Sequence, residues 1–124
     1  MELKNSTAYT SLPAEDMARA KKFYTEKLGL TLLMDQSPGM VLLGTNEQKI
    51  FIYQRGRSSA EHTALAFVVD DVKTTVQELI QKGVVFEKYE GCDELGVKTN
   101  GPMQMAWFKD PEGNILGVNN PFPI

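Results

Sequence analysis

The chain has one histidine, one cysteine and one tryptophan, and these three residues narrow the chemistry open to it. Most protein sites for zinc, nickel or iron use two or more imidazoles or thiolates. His62 and Cys92 cannot supply them, which leaves only a carboxylate-rich magnesium or calcium site open in principle. Cys92 lies among Gly91, Asp93 and Glu94, acidic company for a nucleophile, and as a lone cysteine it excludes an internal disulfide. No Ser-His-Asp order, Gly-rich phosphate loop or Walker pattern is present. Tyr9, His62 and Lys109 remain as candidate acids, bases or hydrogen-bond donors. Each also has a plainer reading: Tyr9 as a packed residue with its hydroxyl satisfied, His62 as an exposed residue starting a strand, Lys109 as a solvated residue at a sheet end. Asp16, Asp70 and Asp71 read as helix caps rather than a carboxylate pair, and Asp110 as turn chemistry.

The elements that must position these residues come in a doubled order. Thr7 to Leu12 alternate as a strand, and Pro13-Ala14-Glu15-Asp16 stops it. Met17, Ala20, Phe23, Tyr24 and Leu28 then form one apolar helical stripe ending at Gly29. Three short strands follow at Leu30–Met34, Met40–Gly44 and Lys49–Gln54. The second half repeats this: a strand from Thr63 to Val69, a cap at Asp70-Asp71, a stripe of Val72, Val76, Leu79 and Ile80, and a stop at Gly83. Strands at Val84–Tyr89, Met103–Lys109 and Asn114–Asn119 complete it. The predicted class is α+β, two tandem βαβββ modules facing each other, since neither half could bury its sheet alone. One domain spans 1–124, with module one at about 5–57, a linker at about 55–61 and module two at about 62–120.

The turn Asp110-Pro111-Glu112-Gly113-Asn114 fixes a register. A three-residue loop sets Asp110 opposite Asn114, so Lys109 faces Ile115, Phe108 faces Leu116 and Trp107 faces Gly117. Phe108, Leu116 and Val118 then point toward a helix, and Trp107, Lys109, Ile115, Gly117 and Asn119 point the other way. By the same parity Leu65, Phe67 and Val69 lie under the helix, leaving His62, Ala64, Ala66 and Val68 opposite; Tyr9 and Ser11 share that opposite face in the first strand. Equating Ile52 with Gly117 puts Ile50, Ile52 and Gln54 there too, although Phe51 and Tyr53 are equally apolar.

Composition sets outer bounds. The chain has 124 residues, 13 Lys+Arg against 16 Asp+Glu, and a net charge of −3; with no basic run longer than Lys21-Lys22, a nucleic-acid surface is not expected. The longest uncharged apolar run, Ala64 to Val69, is far short of a membrane span, and the charged start Met-Glu-Leu-Lys-Asn-Ser lacks the apolar stretch of a signal peptide. A cytoplasmic protein is expected.

Three segments carry a resemblance that covers almost the whole chain: Pro-Ala-Glu-Asp-Met-Ala-Arg-Ala-Lys-Lys-Phe-Tyr-Thr-Glu-Lys-Leu-Gly-Leu near the start, Phe-Val-Val-Asp-Asp-Val in the middle and Ala-Trp-Phe-Lys-Asp-Pro-Glu-Gly-Asn-Ile-Leu near the end. The sequence resembles the vicinal oxygen chelate superfamily, which holds glyoxalase I, bleomycin-resistance proteins, fosfomycin-resistance enzymes and extradiol dioxygenases. The resemblance implies a curved mixed sheet around a concave active-site cavity, and a two-fold homodimer that covers open sheet edges. It also implies metal ligands, His or Glu, at four strand positions, which fall here on Tyr9, Ile52, Ala64 and Gly117. Three of these side chains lack a donor atom, and a phenol is a poor ligand at neutral pH. His62 lies two residues before the expected position, about 6.6–7 Å away along the strand. No metal and no cofactor are therefore expected.

The reading that follows is a protein binding a small organic molecule in a metal-free cavity, as the bleomycin-resistance branch does. Its alternatives are a lyase, isomerase or transferase of the superfamily using Tyr9, His62 or Lys109 or an atypical metal site, and a dimeric scaffold with an empty cavity. The expected ligand contacts are Tyr9, Ser11, Ile52, Gln54, His62, Ala64, Trp107, Lys109, Gly117 and Asn119, with Ala64 and Gly117 leaving space. Gly91–Pro102, rich in glycine, reads as a connection or a lid.

Overall fold

A computed structural model describes residues 2–36, 39–43 and 48–124. After a short 3-10 turn at Leu3–Asn5 come β1 (Thr10–Ala14) and α1 (Met17–Lys22), which continues as a π turn over Phe23–Lys27. Strands β2 (Thr31–Gln36), β3 (Gly39–Leu43) and β4 (Lys49–Gln54) follow. The order then repeats with β5 (Thr63–Val68), α2 (Val72–Gln81), β6 (Lys98–Asn100), β7 (Met103–Lys109) and β8 (Ile115–Asn119). Each set of strands forms a four-stranded mixed sheet, ordered β1-β4-β3-β2 and β5-β8-β7-β6, in which only the first pair is parallel. The doubled βαβββ architecture is therefore present.

Local chemistry explains the elements. Asp16 and Asp71 each accept a hydrogen bond from the backbone N–H three residues on, at Arg19 and Thr74, and so start the two helices. Asp70 makes no such bond among the described residues. The π turn closes with the Leu28 N–H donating to the Phe23 carbonyl, and it buries the adjacent Phe23 and Tyr24 together.

Three sequence expectations are corrected. β1 begins at Thr10 and continues through Pro13 to Ala14 instead of stopping before the proline. It is an edge strand, where a missing N–H need not break a ladder. Val84–Tyr89 is no strand but a single bridge, Phe86 to Phe108, and the edge partner of β7 is Lys98–Asn100, inside the segment read as a loop. The chain between them leaves the sheet and is knitted by Asp93, whose Oδ1 accepts from the N–H of Leu95 and Val97. Val97 is buried there. Gly44, placed in a strand by pattern, lies outside the described residues.

One apolar core joins both halves. Leu12, Tyr24, Met40, Leu42, Ile50 and Ile52 from the first pack in the same cluster as Val72, Val76, Ala106, Phe108, Leu116 and Val118 from the second. A polar joint runs beside it, centred on the β7–β8 turn. Glu112, fully buried, accepts from the backbone N–H of Glu15 and Asp16 and from the Arg19 guanidinium at 2.7 and 3.1 Å. The Tyr24 hydroxyl donates to Asp110, and the Asn114 amide donates to both Asp110 and the Pro13 carbonyl. Gly113 has φ +91, and a Cβ there would sit 2.3 Å from the Ser58 carbonyl oxygen, so only glycine lets the inter-module linker lie this close.

Candidate functional site

Each sheet has one face in the core and one outside it, and register assigns every residue to a side. In β7–β8, Trp107 lies opposite Gly117, Phe108 opposite Leu116 and Lys109 opposite Ile115, as the turn count predicts. In β5–β8, Leu65 and Phe67 align with Leu116 and Val118 on the core side, and Ala66 aligns with Gly117 on the outer side. Ala64, Ala66 and Val68 are accordingly exposed.

The first sheet differs from expectation at β4. Ile52 is the register partner of Leu12 and Ile50 of Thr10, and both isoleucines are buried in the core. Gln54 pairs with Ala14 on that same side, and its amide donates to the Glu15 carbonyl at 3.4 Å. Ile50, Ile52 and Gln54 therefore leave the predicted outer-face set, and Phe51 and Tyr53 replace them. The physical reason is that all four central residues of β4 are apolar, so alternation alone does not choose a face. The Phe51 and Tyr53 rings stack at 6.1 Å, and Tyr9, 65% exposed, meets Phe51 edge-on at 6.3 Å. The Phe51 ring also covers Gly39, whose hypothetical Cβ it would touch at 2.9 Å.

The second sheet repeats the device. The Trp107 ring lies 3.3 Å from a Cβ built at Gly117, and Tyr89 closes on it edge-to-face at 5.5 Å. A Cβ at Gly117 would thus touch the indole, with the Thr63 methyl 3.6 Å away. Burial raises the Tyr89 phenol above its ordinary value, with Glu87 adding to it. Asn119, also buried, donates from its amide to the Asn120 carbonyl.

The three candidate acid–base residues do not form one constellation. Ser11, His62 and Ala64 line a cleft of about 390 Å³ between β1, β5 and the linker, together with Arg55, Arg57, Ser58 and Ser59. Lys109 borders a different groove with Asp110 and Pro111, its Nζ 4.0 Å from Glu87. Tyr9 stands on the aromatic strip of the first sheet. Sequence reasoning did not place Phe51 and Tyr53 on this face, and it did not see that Arg55 and Arg57 share a cleft with His62.

Register also moves one of the four ligand positions of the resembled superfamily. Phe51 stands to Ser11 as Gly117 stands to Ala66, so the second position belongs to Phe51 rather than Ile52. A phenol, a phenyl ring, a methyl group and a hydrogen at Tyr9, Phe51, Ala64 and Gly117 do not fit a divalent metal ion. Among the described residues no group of three or more His, Cys, Asp or Glu side chains could hold one elsewhere. Among them, too, no helix is long and apolar enough to cross a membrane.

Comparison with known proteins agrees with the geometry. A Bacillus subtilis protein, the uncharacterized YetH, is 28% identical, the match covering 82% of this chain and 87% of YetH. A glyoxalase/bleomycin resistance protein from Streptomyces sp. CB03234 superposes with a TM-score of 0.69 at 26% identity, over 93% of this chain and all of that one. A mutant of the fosfomycin resistance protein FosX from Listeria monocytogenes, solved with Mn(II) and 1S,2S-dihydroxypropylphosphonic acid, gives 0.74 at 10% identity, over 96% and 92%. The family model for the Glyoxalase/Bleomycin resistance protein/Dioxygenase superfamily matches residues 6–118, and the chain belongs to that superfamily.

Proposed function

We propose that this protein binds a small organic molecule against the outer faces of its sheets without a resident metal. The observation that carries the reading is the pairing of absent donors with open aromatic surface. The positions equivalent to the superfamily's metal ligands hold Tyr9, Phe51, Ala64 and Gly117, and around them Tyr9, Phe51, Tyr53 and Val68 present apolar area to solvent. Such area suits the body of an organic ligand, with Ser11 and His62 near one end to orient it. FosX, of like fold, was solved with Mn(II); here the Tyr9 phenol is the one donor atom at the equivalent positions, too little to hold such an ion.

A homodimer completes this reading. Leu33 and Met34 on the edge strand β2 are 49% and 41% exposed, and an open edge with apolar side chains is normally covered. A second copy is the proposed cover, and the cytoplasm, which keeps the lone Cys92 reduced, is the proposed compartment. Neither a nucleic acid nor a membrane is a proposed partner.

The test is mass spectrometry of whatever co-purifies with the protein, beside metal analysis of the same sample. An organic compound at near-stoichiometric amount with substoichiometric metal is the expected result. A stoichiometric transition metal would overturn the reading. Sedimentation should give twice the 13.8 kDa chain mass.

A further inference from the structure

We infer that the cleft between β1, β5 and the linker is an oxyanion site, built to take the phosphate or carboxylate of a small molecule. The inference rests on the proposed function for the ligand's body and adds its charged end. The cleft is lined by Ser11, Arg55, Arg57, Ser58, Ser59 and His62, and among the described residues no Asp or Glu lines it. That balance is found in a chain of net charge −3, where Arg19, Lys21, Lys73 and Lys109 each face a carboxylate. Two guanidiniums, an imidazole and three hydroxyls are donors suited to a multidentate anion, and the volume of about 390 Å³ lies in the range of small-molecule sites.

The linker that carries the donors is held in place before any anion arrives. The linker is pinned at both ends by its own backbone, the Arg55 N–H donating to the Ala14 carbonyl at 2.9 Å and the Ser58 N–H to the Glu112 carbonyl at 3.0 Å. Arg57 Nη1 donates to the Pro111 carbonyl at 2.7 Å, which orients that guanidinium across the joint of the two modules. The Arg55 and His62 side chains make no hydrogen bond or ion pair among the described residues. A cleft lined by two arginines with no counter-charge focuses positive potential on its interior. The groove with Lys22, Lys27 and Lys82 lacks this setting: it includes Glu26, and its Arg19 is already bonded to Glu112.

The lone histidine makes the test clean, because the ring protons of His62 give one set of signals in a proton NMR spectrum. Phenyl phosphate, benzoate and neutral benzyl alcohol are titrated into the full-length protein at constant ionic strength. A saturable His62 shift with one or both anions is expected, the stronger of the two naming the oxyanion. Arg55→Gln should weaken that binding by about tenfold. Lys82→Gln should leave it unchanged. Arg57→Lys is the second variant, keeping a donor for Pro111 while losing the planar fork, and it should also weaken binding. A His62 signal unmoved by both anions, or an equal affinity in Arg55→Gln, would overturn the inference. Benzyl alcohol binding that is lost in Phe51→Ala, with no anion effect, removes the oxyanion site and keeps the small-molecule reading. Anion binding that needs Arg55 but is indifferent to Phe51→Ala keeps the oxyanion site and counts against the aromatic face.

Discussion

The polar joint around the β7–β8 turn and the outer faces of the sheets use the same kinds of residue to opposite ends. At the joint, Tyr24, Asp110, Glu112 and Asn114 are buried, and each finds hydrogen-bond partners. Among the described residues no buried side-chain nitrogen or oxygen lacks a partner. On the outer side, Tyr9, Ser11 and His62 are exposed and make no side-chain hydrogen bond among the described residues. A saturated network can only hold the modules together, whereas unspent donors beside open aromatic surface are available to a ligand. The difference separates residues that stabilise this fold from residues that serve a ligand, even where the residue types coincide.

Two neighbours in β4 should separate the core from the outer face most sharply. Ile52→Ala opens the core and should cost roughly 2–5 kcal/mol by urea unfolding, with ligand binding kept wherever the protein remains folded. Phe51→Ala should cost less and should remove binding, because its ring stands outside the core beside Tyr9 and Tyr53. If Phe51→Ala is the more destabilising of the two, the assignment of faces fails.

A second test addresses the joint. Burial alone would raise the Glu112 carboxyl, but the Arg19 hydrogen bonds and the N–H groups of Asp16 and Glu15 outweigh it and hold the group below its ordinary value. Its folded-state pKa is depressed, so it contributes stability above the ordinary carboxylate value of about 4.3, and that contribution is lost as pH falls toward the folded value. Glu112→Gln should cost about 1–3 kcal/mol at pH 7 and flatten the acid limb of the stability curve. Ligand affinity at neutral pH should change little. A variant that loses affinity while keeping its stability would show that the two regions are not separate.

Much of this division was legible in the residues, and what was not has physical causes. The caps at Asp16 and Asp71 and the register of Trp107 against Gly117 follow from short-range rules, a side-chain oxygen three residues before an N–H and a turn of fixed length. Asp110 reads as a turn residue from sequence, and its Oδ1 does accept from the N–H of Glu112 and Asn114. Its bond to Tyr24 spans 86 residues and leaves no local signal. The same holds for Glu112, whose partners Arg19 and the α1 start come together only when the modules dock. The face of β4 was ambiguous because Ile50, Phe51, Ile52 and Tyr53 offer no polar residue to mark solvent. β6 was misplaced because Val84 and Phe86 alternate like a strand, yet the chain returns to the β7 edge only at Lys98.

Metal-free binding on the outer faces is tested most directly by the emission of Trp107, the only tryptophan, which stands on the outer side of the second sheet. The co-purifying compound should be stripped, then titrated back into protein before and after exhaustive EDTA dialysis, with tryptophan emission as the readout. The same saturable change and the same dissociation constant are expected in both samples, with loss of binding in Phe51→Ala but not in Ile52→Ala. Binding that vanishes on dialysis and returns with added divalent metal would contradict metal-free binding.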